Sequence, residues 1–332
     1  MILLVNSIGD TSSHKFMELC NFKKINYFQI EDEQEVTFDN IHVENGELKD
    51  FTIINKTSGK SISKNAISGF FYRKGRISPN LYLDFYPNVN DSIKNEFMEC
   101  LTDEWNALVF YIFDWIENNV PTIGSYNNTV PNKMQMLHIA SKCGFTAPYT
   151  YILSNKELIN NFYKSTPCIT KSIQDIIVFE YENCVYRSYT SQVEELTNNS
   201  YSLFPSLMQK KINSKYEIRI FYFDKNIYSI AIAHDKVKEM KVDYRNSETF
   251  PDVFPYSLTK QNEKKLRKFI QNCGYNSGSI DLLLSDENEL FFLEINPVGQ
   301  FDFVSDFCGK NIEIDIINFF YNKLKPNVIW KT

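Results

Sequence analysis

Two short apolar runs in this chain carry three side chains with oxygen donors. Gly278-Ser279-Ile280-Asp281-Leu282-Leu283-Leu284 is followed, after the polar turn Ser285-Asp286-Glu287-Asn288-Glu289, by Phe291-Phe292-Leu293-Glu294-Ile295-Asn296-Pro297. The pattern reads as a buried hairpin in which Asp281 interrupts one strand. In the other, the strand period of two puts Glu294 and Asn296 on one face. Carboxylates and a carboxamide are hard ligands suited to magnesium, which commonly joins a few protein oxygens to the phosphates of a nucleotide. The competing reading makes Asp281 an edge residue and Glu294 a solvated one. Unpaired charge inside apolar strands is expensive, which favours the metal-binding role.

A second charged pattern lies in Glu217-Ile218-Arg219-Ile220-Phe221-Tyr222-Phe223, an alternating strand with Glu217 and Arg219 on the same face, where a cross-strand salt bridge is the plain alternative to chemistry. Other patterns lead nowhere. Gly59-Lys60-Ser61 has the ending of a phosphate loop, but the glycine required earlier falls at Ile54, so a simple loop is expected. No GxGxxG fingerprint supports a dinucleotide fold. His14, His42, His138 and His234 are far apart and without zinc-ligand spacing.

The elements that must position these residues follow from periodicity. Met1 to Asn6 and Asn26 to Ile30 read as strands around a helix through Cys20, capped by Ser12 or Ser13. Two more strands flank the Asn45-Gly46 turn, and Phe70 to Arg73 is another. A long helix from about Asp91 to Asn118 is expected to turn Ile93, Phe97, Leu101, Leu108, Ile112 and Trp115 inward. The polar stretch Asn127 to Asn132 is the best linker, which divides the chain into an N-terminal α/β domain, 1–126, and a second domain, 127–332. A length of 332 residues suits two domains.

Composition excludes several classes. The net charge of -6 argues against a general nucleic-acid or anionic-membrane binder, so neither partner is expected. The seven cysteines are scattered without a CxxC pair and read as reduced. The N-terminal residues lack the regions of a signal peptide, and no apolar run approaches the ~20 residues of a membrane span, which together imply a cytoplasmic protein. Aromatic residues make up 15% of the chain, enough to supply a peptide groove as well as a core.

Taken in order, several motifs carry a family resemblance. They are Asn132-Lys133 with Ala140, Gly144, Pro148 and Thr150; the short strand Cys168-Ile169-Thr170-Lys171; Leu207-Met208-Gln209-Lys210-Lys211-Ile212; Glu217-x-Arg219; Asp243-Tyr244-Arg245; and Leu293-Glu294-Ile295-Asn296-Pro297-Val298-Gly299-Gln300-Phe301. The chain resembles the ATP-grasp ligases, and within them the branch that makes graspetides, the microviridin-type and grasp-with-spasm peptide maturases. The resemblance is strongest from Pro131 to Phe303. It implies an ATP-grasp fold preceded by an N-terminal α/β pre-ATP-grasp domain, with ATP and Mg2+ as cofactors.

The same resemblance implies roles. Lys133 and Lys171 would hold the nucleotide phosphates, although spacing alone leaves Lys133 equally readable as a solvated lysine. Ser172-Ile173-Gln174-Asp175 replaces the glycine-rich turn that often follows the second lysine. The backbone around Gln209, Lys210 and Ile212 would recognise adenine, and Asp281, Glu294 and Asn296 would bind metal. Arg219 would clamp the transferred phosphoryl group. Asp243 and Arg245 match the DxR motif and would touch the core peptide, where an isolated Asp-x-Arg is otherwise a weak surface pair. The implied partner is a ribosomal precursor peptide, leader plus core, and the implied assembly a homodimer. The implied reaction joins Asp or Glu to Thr, Ser or Lys by an ester or amide. Alternatives are a glutathione-synthetase-like or glutamate-adding ligase, and a catalytically silent ATP-dependent peptide-binding protein.

Overall fold

The computed structural model describes residues 1–79, 91–174, 178–182, 184–196, 203–233 and 251–324. It forms two compact units, and both are discontinuous. The first comprises Met1–Thr129, Val298–Ser305 and the chain from Asn311 onward; the second comprises Val130–Pro297 with Asp306–Lys310. A linear split into 1–126 and 127–332 does not capture the return of the chain at Val298. No helix among the described residues is long and apolar enough to cross a membrane.

The first unit starts with β1 (Ile2–Asn6), α1 (Thr11–Phe22) and β2 (Tyr27–Glu31). The antiparallel strands β3 (Val36–Glu44), β4 (Glu47–Asn55) and β5 (Lys60–Ser63) follow, then β6 (Gly69–Arg73), α2 (Asp91–Asn119) and β7 (Thr122–Ile123). Strands β2-β1-β6-β7 form a parallel sheet. All five residues of β1 and of β6 are buried, as expected of strands covered on both faces. Between β3 and β4 the turn uses Asn45 at φ 51° and Gly46 at φ 82°, the left-handed pair that a two-residue hairpin requires.

Three local expectations need correction. The cap of α1 is Asp10, whose carboxylate accepts the Ser13 N–H at 3.0 Å, and Ser12 and Ser13 lie buried in the first turn. Helix α2 buries Val109, Ile112, Phe113 and Ile116, with Leu108 and Trp115 packed beside them, whereas Ile93 and Phe97 are 55% and 43% exposed. A helix of 29 residues is about 43 Å long, far longer than a five-residue strand, so its first turns run past the sheet that its later turns cover. Lys60 and Ser61 begin β5 instead of a loop.

The second unit opens with α3 (Lys133–Lys142), β8 (Thr150–Leu153), α4 (Lys156–Ser165), β9 (Cys168–Lys171), the hairpin β10 (Val178–Tyr181) and β11 (Cys184–Arg187), β12 (Ser191–Gln192) and β13 (Ser206–Lys210). Strands β12-β9-β13-β8 make an antiparallel sheet that packs Cys168, Val193 and Met208 with Ile159 and Phe162 of α4. Next come β14 (Ser214–Phe223), β15 (Asn226–Ala233), β16 (Val253–Pro255), α5 (Lys260–Asn272), β17 (Ser277–Ser285) and β18 (Leu290–Asn296), with sheet order β16-β15-β14-β17-β18. One face of this sheet, with Ile218, Ile220, Ile280, Leu282, Phe292 and Ile295, is covered by Met136, Leu137 and Ala140 of α3 and Leu266 and Phe269 of α5. The opposite face carries Glu217, Arg219, Asp281 and Glu294 beside the buried Phe221, Phe223, Ile230 and Ile232.

The chain closes with α6 (Asp302–Phe307) and α7 (Ile312–Leu324). Phe320 of α7 packs in the first unit with Phe16 and Phe71, and a Cβ on Gly69 of β6 would lie 2.8 Å from its ring. Also in this unit, Arg73 and Asp10 form a buried ion pair with side chains 3% and 1% exposed and Nη2 to Oδ1 at 3.3 Å. Burial alone would push the Asp10 carboxyl up, but the Arg73 charge and hydrogen bonds from Ser13 and Arg73 together hold it below its ordinary value of 3.8. The stabilisation is therefore complete above pH about 4 and is lost as pH falls through the folded value. Asp10→Asn strands the guanidinium, and denaturant unfolding should show a loss of about 3–5 kcal/mol at neutral pH together with a flatter acid dependence.

Candidate active site

Cations and carboxylates meet at β14, β17, β18 and the start of α3. Asn132 caps α3 by accepting the Gln135 N–H at 3.1 Å, which makes Lys133 the first helical residue. A cation there opposes the helix dipole and needs compensation. Glu294 of β18 supplies it: Lys133 Nζ lies 3.1 Å from Glu294 Oε2 and donates to the Ser172 carbonyl at 3.4 Å. Across the same sheet Arg219 is in register with Asp281, and Asp281 with Glu294. Arg219 Nε donates to Asp281 Oδ1 at 3.0 Å, and its Nη2 reaches Glu217 Oε1 at 2.9 Å.

A β-bulge sets this geometry. Leu282 pairs with Phe292 but Asp281 pairs with Glu294, so Leu293 is an extra residue in β18. Strict alternation would put Glu294 on the same face as Phe292, which is buried in the core. The inserted residue reverses the phase, so Ile295 joins Phe292 in the core while Glu294 faces Asp281 and Asn296 falls opposite Ser279.

Lys171 ends β9 in the neighbouring sheet. Burial pushes its ammonium pKa below the ordinary lysine value; Glu294 and Asp281 partly reverse that shift, and Lys133 reinforces it. Those influences put Lys171 within electrostatic range of the same cluster. Three cations, Lys133, Lys171 and Arg219, are thus interleaved with three carboxylates, Glu217, Asp281 and Glu294.

The expected metal set presents only hard oxygen donors, two from carboxylates opposed on adjacent strands and one from the Asn296 carboxamide, and this donor chemistry fits magnesium. Among the described residues no group of three His, Cys, Asp or Glu could hold a metal. Residues 209–212 follow a different logic. Gln209 is buried and donates Nε2 to Thr150 Oγ1 at 2.9 Å, the Lys210 N–H goes to the Tyr149 carbonyl, and Ile212 lies in the loop before β14. The Gln209 side chain is thus a sheet-packing group. Asp243 and Arg245 lie outside the described residues. The bulge leaves no signal in the sequence, whereas the cross-strand salt bridge weighed for Arg219 is present, with Asp281 as the partner across the strands and Glu217 as a second acid on its own strand.

No family model matches the chain, and no curated protein does. Solved structures do. The macrocyclase MdnC from Microcystis aeruginosa MRC, bound with its precursor peptide MdnA, superposes with a TM-score of 0.72 over 97% of this chain and 99% of that one, at 19% identity. A RiPP-associated ATP-grasp ligase from Chryseobacterium gregarium, in complex with ADP and a leader and core peptide, gives 0.74 at 19% identity, with 99% of each chain covered. The fold is that of the ATP-grasp ligases. D-alanyl-alanine synthetase A from Vibrio cholerae is a more distant likeness at 0.52 and 11% identity, covering 97% of this chain and 98% of that one. In the ATP-grasp fold seen here, Lys133, Lys171, Arg219, Asp281, Glu294 and Asn296 all belong to the second unit.

Proposed function

We propose that this protein is an ATP-dependent carboxylate ligase that closes side-chain rings in a ribosomally synthesised precursor peptide. The observation that carries the reading is the meeting of Arg219, Asp281 and Glu294 on one sheet of an ATP-grasp fold with Lys133 of α3, and with Lys171 of the neighbouring sheet under the influence of the same charges. Two of the similar structures were solved with precursor or with leader and core peptides, which supports a peptide as substrate. The β10–β11 hairpin offers apolar surface of the kind a peptide needs. Phe179 and Tyr186 stack at 5.0 Å and are 55% and 46% exposed, with Val178, Tyr181 and Val185 also exposed.

A carboxylate is a poor electrophile because its leaving group would be an oxide. An oxygen of a peptide Asp or Glu bonds to the γ-phosphorus of ATP as the bond to the ADP oxygen breaks, giving an acyl phosphate. A Thr or Ser hydroxyl, or a Lys amine, then attacks the acyl carbon. The C–O bond to phosphate breaks, and the proton of the nucleophile is released. Positioning and charge neutralisation dominate such transfers. Lys133 and Lys171 hold the phosphate tail, Arg219 faces the transferred group, and the backbone near Lys210 and Ile212 meets the adenine. Asp281, Glu294 and Asn296 would hold magnesium, which supplies further charge neutralisation at the phosphates. Asp243 and Arg245 are assigned to the core peptide near its acceptor carboxylate. All seven cysteines are free, in keeping with a cytoplasmic setting, and the assembly proposed is a homodimer.

Incubation with precursor and ATP should remove the mass of one water per ring and release one ADP and one phosphate. Mild base should reopen esters and leave amides closed. A gain in peptide mass would instead identify addition of free amino acids, and ADP release with unchanged peptide mass would overturn the ligase reading.

A further inference from the structure

One edge of the four-stranded sheet in the second unit has no role in the ligation chemistry above. In the order β12-β9-β13-β8, strand β8 pairs with β13 alone. The Lys210 N–H donates at 2.9 Å to the carbonyl of Tyr149, directly opposite it in the register, so the hydrogen-bonded pairs of this ladder are Tyr149 with Lys210, Tyr151 with Met208 and Leu153 with Ser206. The same phase holds on the far side of β13, where the Lys211 N–H reaches the Pro167 carbonyl at 2.8 Å. The N–H and C=O groups of Thr150 and Ile152 therefore point out of the sheet along its edge.

Such an edge is a template for another strand, and proteins ordinarily blunt it with charge, proline, brevity or a covering segment. The other edges of the two larger sheets in this unit are blunted in these ways. Strand β12 is two residues long, β16 ends at Pro255, and β18 is bridged by Thr146, whose carbonyl accepts the Phe292 N–H at 2.8 Å. By contrast, the chain from Tyr149 to Asn155 has no charged residue and no proline. Tyr149, Tyr151 and Ile152 are 61%, 41% and 43% exposed. Leu158 of α4 is 53% exposed one turn before Phe162, on whose ring Tyr151 packs edge-on at 5.0 Å. Phe204, 83% exposed, follows the Leu203 whose N–H donates to the Ser154 carbonyl. With about 150–250 Å² for a fully buried aromatic, these five side chains leave on the order of 500 Å² uncovered. A stable interface takes about 800 Å² from each partner, so the patch supplies most of what one needs.

We propose that β8 is the seam of the homodimer, joined antiparallel to β8 of a second copy of this chain about a twofold axis at Tyr151. The ladder phase fixes the register. Thr150 exchanges two hydrogen bonds with Ile152 of the partner subunit, Ile152 does the same with Thr150 of the partner subunit, and every outward group is paired. The two Tyr151 residues then face each other as a non-hydrogen-bonded pair, about 4.5 Å between Cα atoms. The Tyr149 and Tyr151 hydroxyls lie 3.0 Å apart and satisfy one another, so both rings can be covered. Charge selects the occupant: two chains of net charge -6 can meet at an uncharged seam without opposing like charges, whereas an acidic substrate peptide would find no cation on this strand. The inference gives the homodimer reading its surface and rests on that reading.

The test measures the mass of the full-length protein by light scattering across a dilution series. The parent should have twice the chain mass of 39.0 kDa. Ile152→Pro removes an outward N–H and leaves the bonds to β13 in place, which is where an edge strand tolerates proline. It should weaken the dimer about 30–100-fold, because the twofold loses one hydrogen bond twice. Ile152→Lys puts a charge in the seam and should act in the same direction, which keeps the test decisive if the proline variant misfolds by circular dichroism. In a chain whose exposed Cys100 and Cys184 are replaced by serine, Tyr151→Cys should give a covalent dimer with oxidised glutathione, since about 4.5 Å is within disulfide reach, and the same chain with Tyr151 intact should not. A dimer that both Ile152 variants leave intact overturns this seam and keeps the homodimer, whereas a monomeric parent overturns both. A monomeric parent whose binding of a Thr- and Glu-containing peptide is lost in folded Ile152→Pro assigns the edge to the substrate instead. Ring closure is read separately by loss of mass, so a monomer that still cyclises its peptide leaves the ligase reading standing.

Discussion

Glu294→Ala is expected to lower peptide-dependent ADP release by about 10²–10³-fold, the scale associated with removing one preorganised charge-stabilising group from a transfer site. The side chain has two jobs in the proposed site, as a magnesium ligand and as the partner of Lys133 at 3.1 Å. Its loss leaves Lys133 at a helix N-terminus with less compensating charge. Glu294→Gln separates the two jobs, since it keeps an oxygen ligand but loses the charge. ADP release, circular dichroism and magnesium titration should be measured on the same preparations. A folded Glu294→Ala protein that transfers phosphoryl groups at the parent rate would remove the metal strand from the mechanism.

Arg219→Ala should reduce kcat by a similar factor of about 10²–10³ while changing ATP affinity little, because the proposed contact is made chiefly as charge develops on the transferred group. The structure adds a second consequence. One guanidinium neutralises Glu217 and Asp281 together, so its removal leaves two partly buried carboxylates without that shared cation. Magnesium dependence should therefore shift in the same variant. Arg219→Lys keeps one charge but loses the fork that reaches both acids, and it should retain more activity than alanine without full recovery. Normal turnover by the alanine variant, with normal magnesium dependence, would assign Arg219 to the fold alone.

Much of this was legible in the sequence because the elements obey simple periods. Continuous apolar runs predict β1 and β6, Asn45-Gly46 predicts the β3–β4 turn, and the acid-bearing runs predict the β17–β18 hairpin. Arg219, Asp281 and Glu294 stand out as charges within apolar strands, whereas Lys133 and Lys171 stand out only through the resemblance to the ATP-grasp ligases. What could not be read depends on breaks in period or on distant partners. The bulge at Leu293 leaves no compositional trace, yet without it Glu294 would point into the core. Which turns of α2 are covered depends on the length of the sheet beneath. Arg73 donates to the Gly299 carbonyl 226 positions away, and local spacing carries no record of such a contact.

The late return of the chain to the first unit bears on its birth at the ribosome. Phe16, Phe71 and Gly69 are made early, but Phe320, which packs on them, is synthesised only after the whole of the second unit. At the usual ~5–20 residues per second, the interval between Thr129 and Phe320 is on the order of 10–40 s. Throughout it, the nascent N-terminal sheet lacks that apolar cover. Chaperone capture should therefore peak on ribosome-bound chains that end before α7 and fall once that helix has emerged. Truncation just before Ile312 should give an aggregation-prone product even though every residue of the ligand cluster is retained.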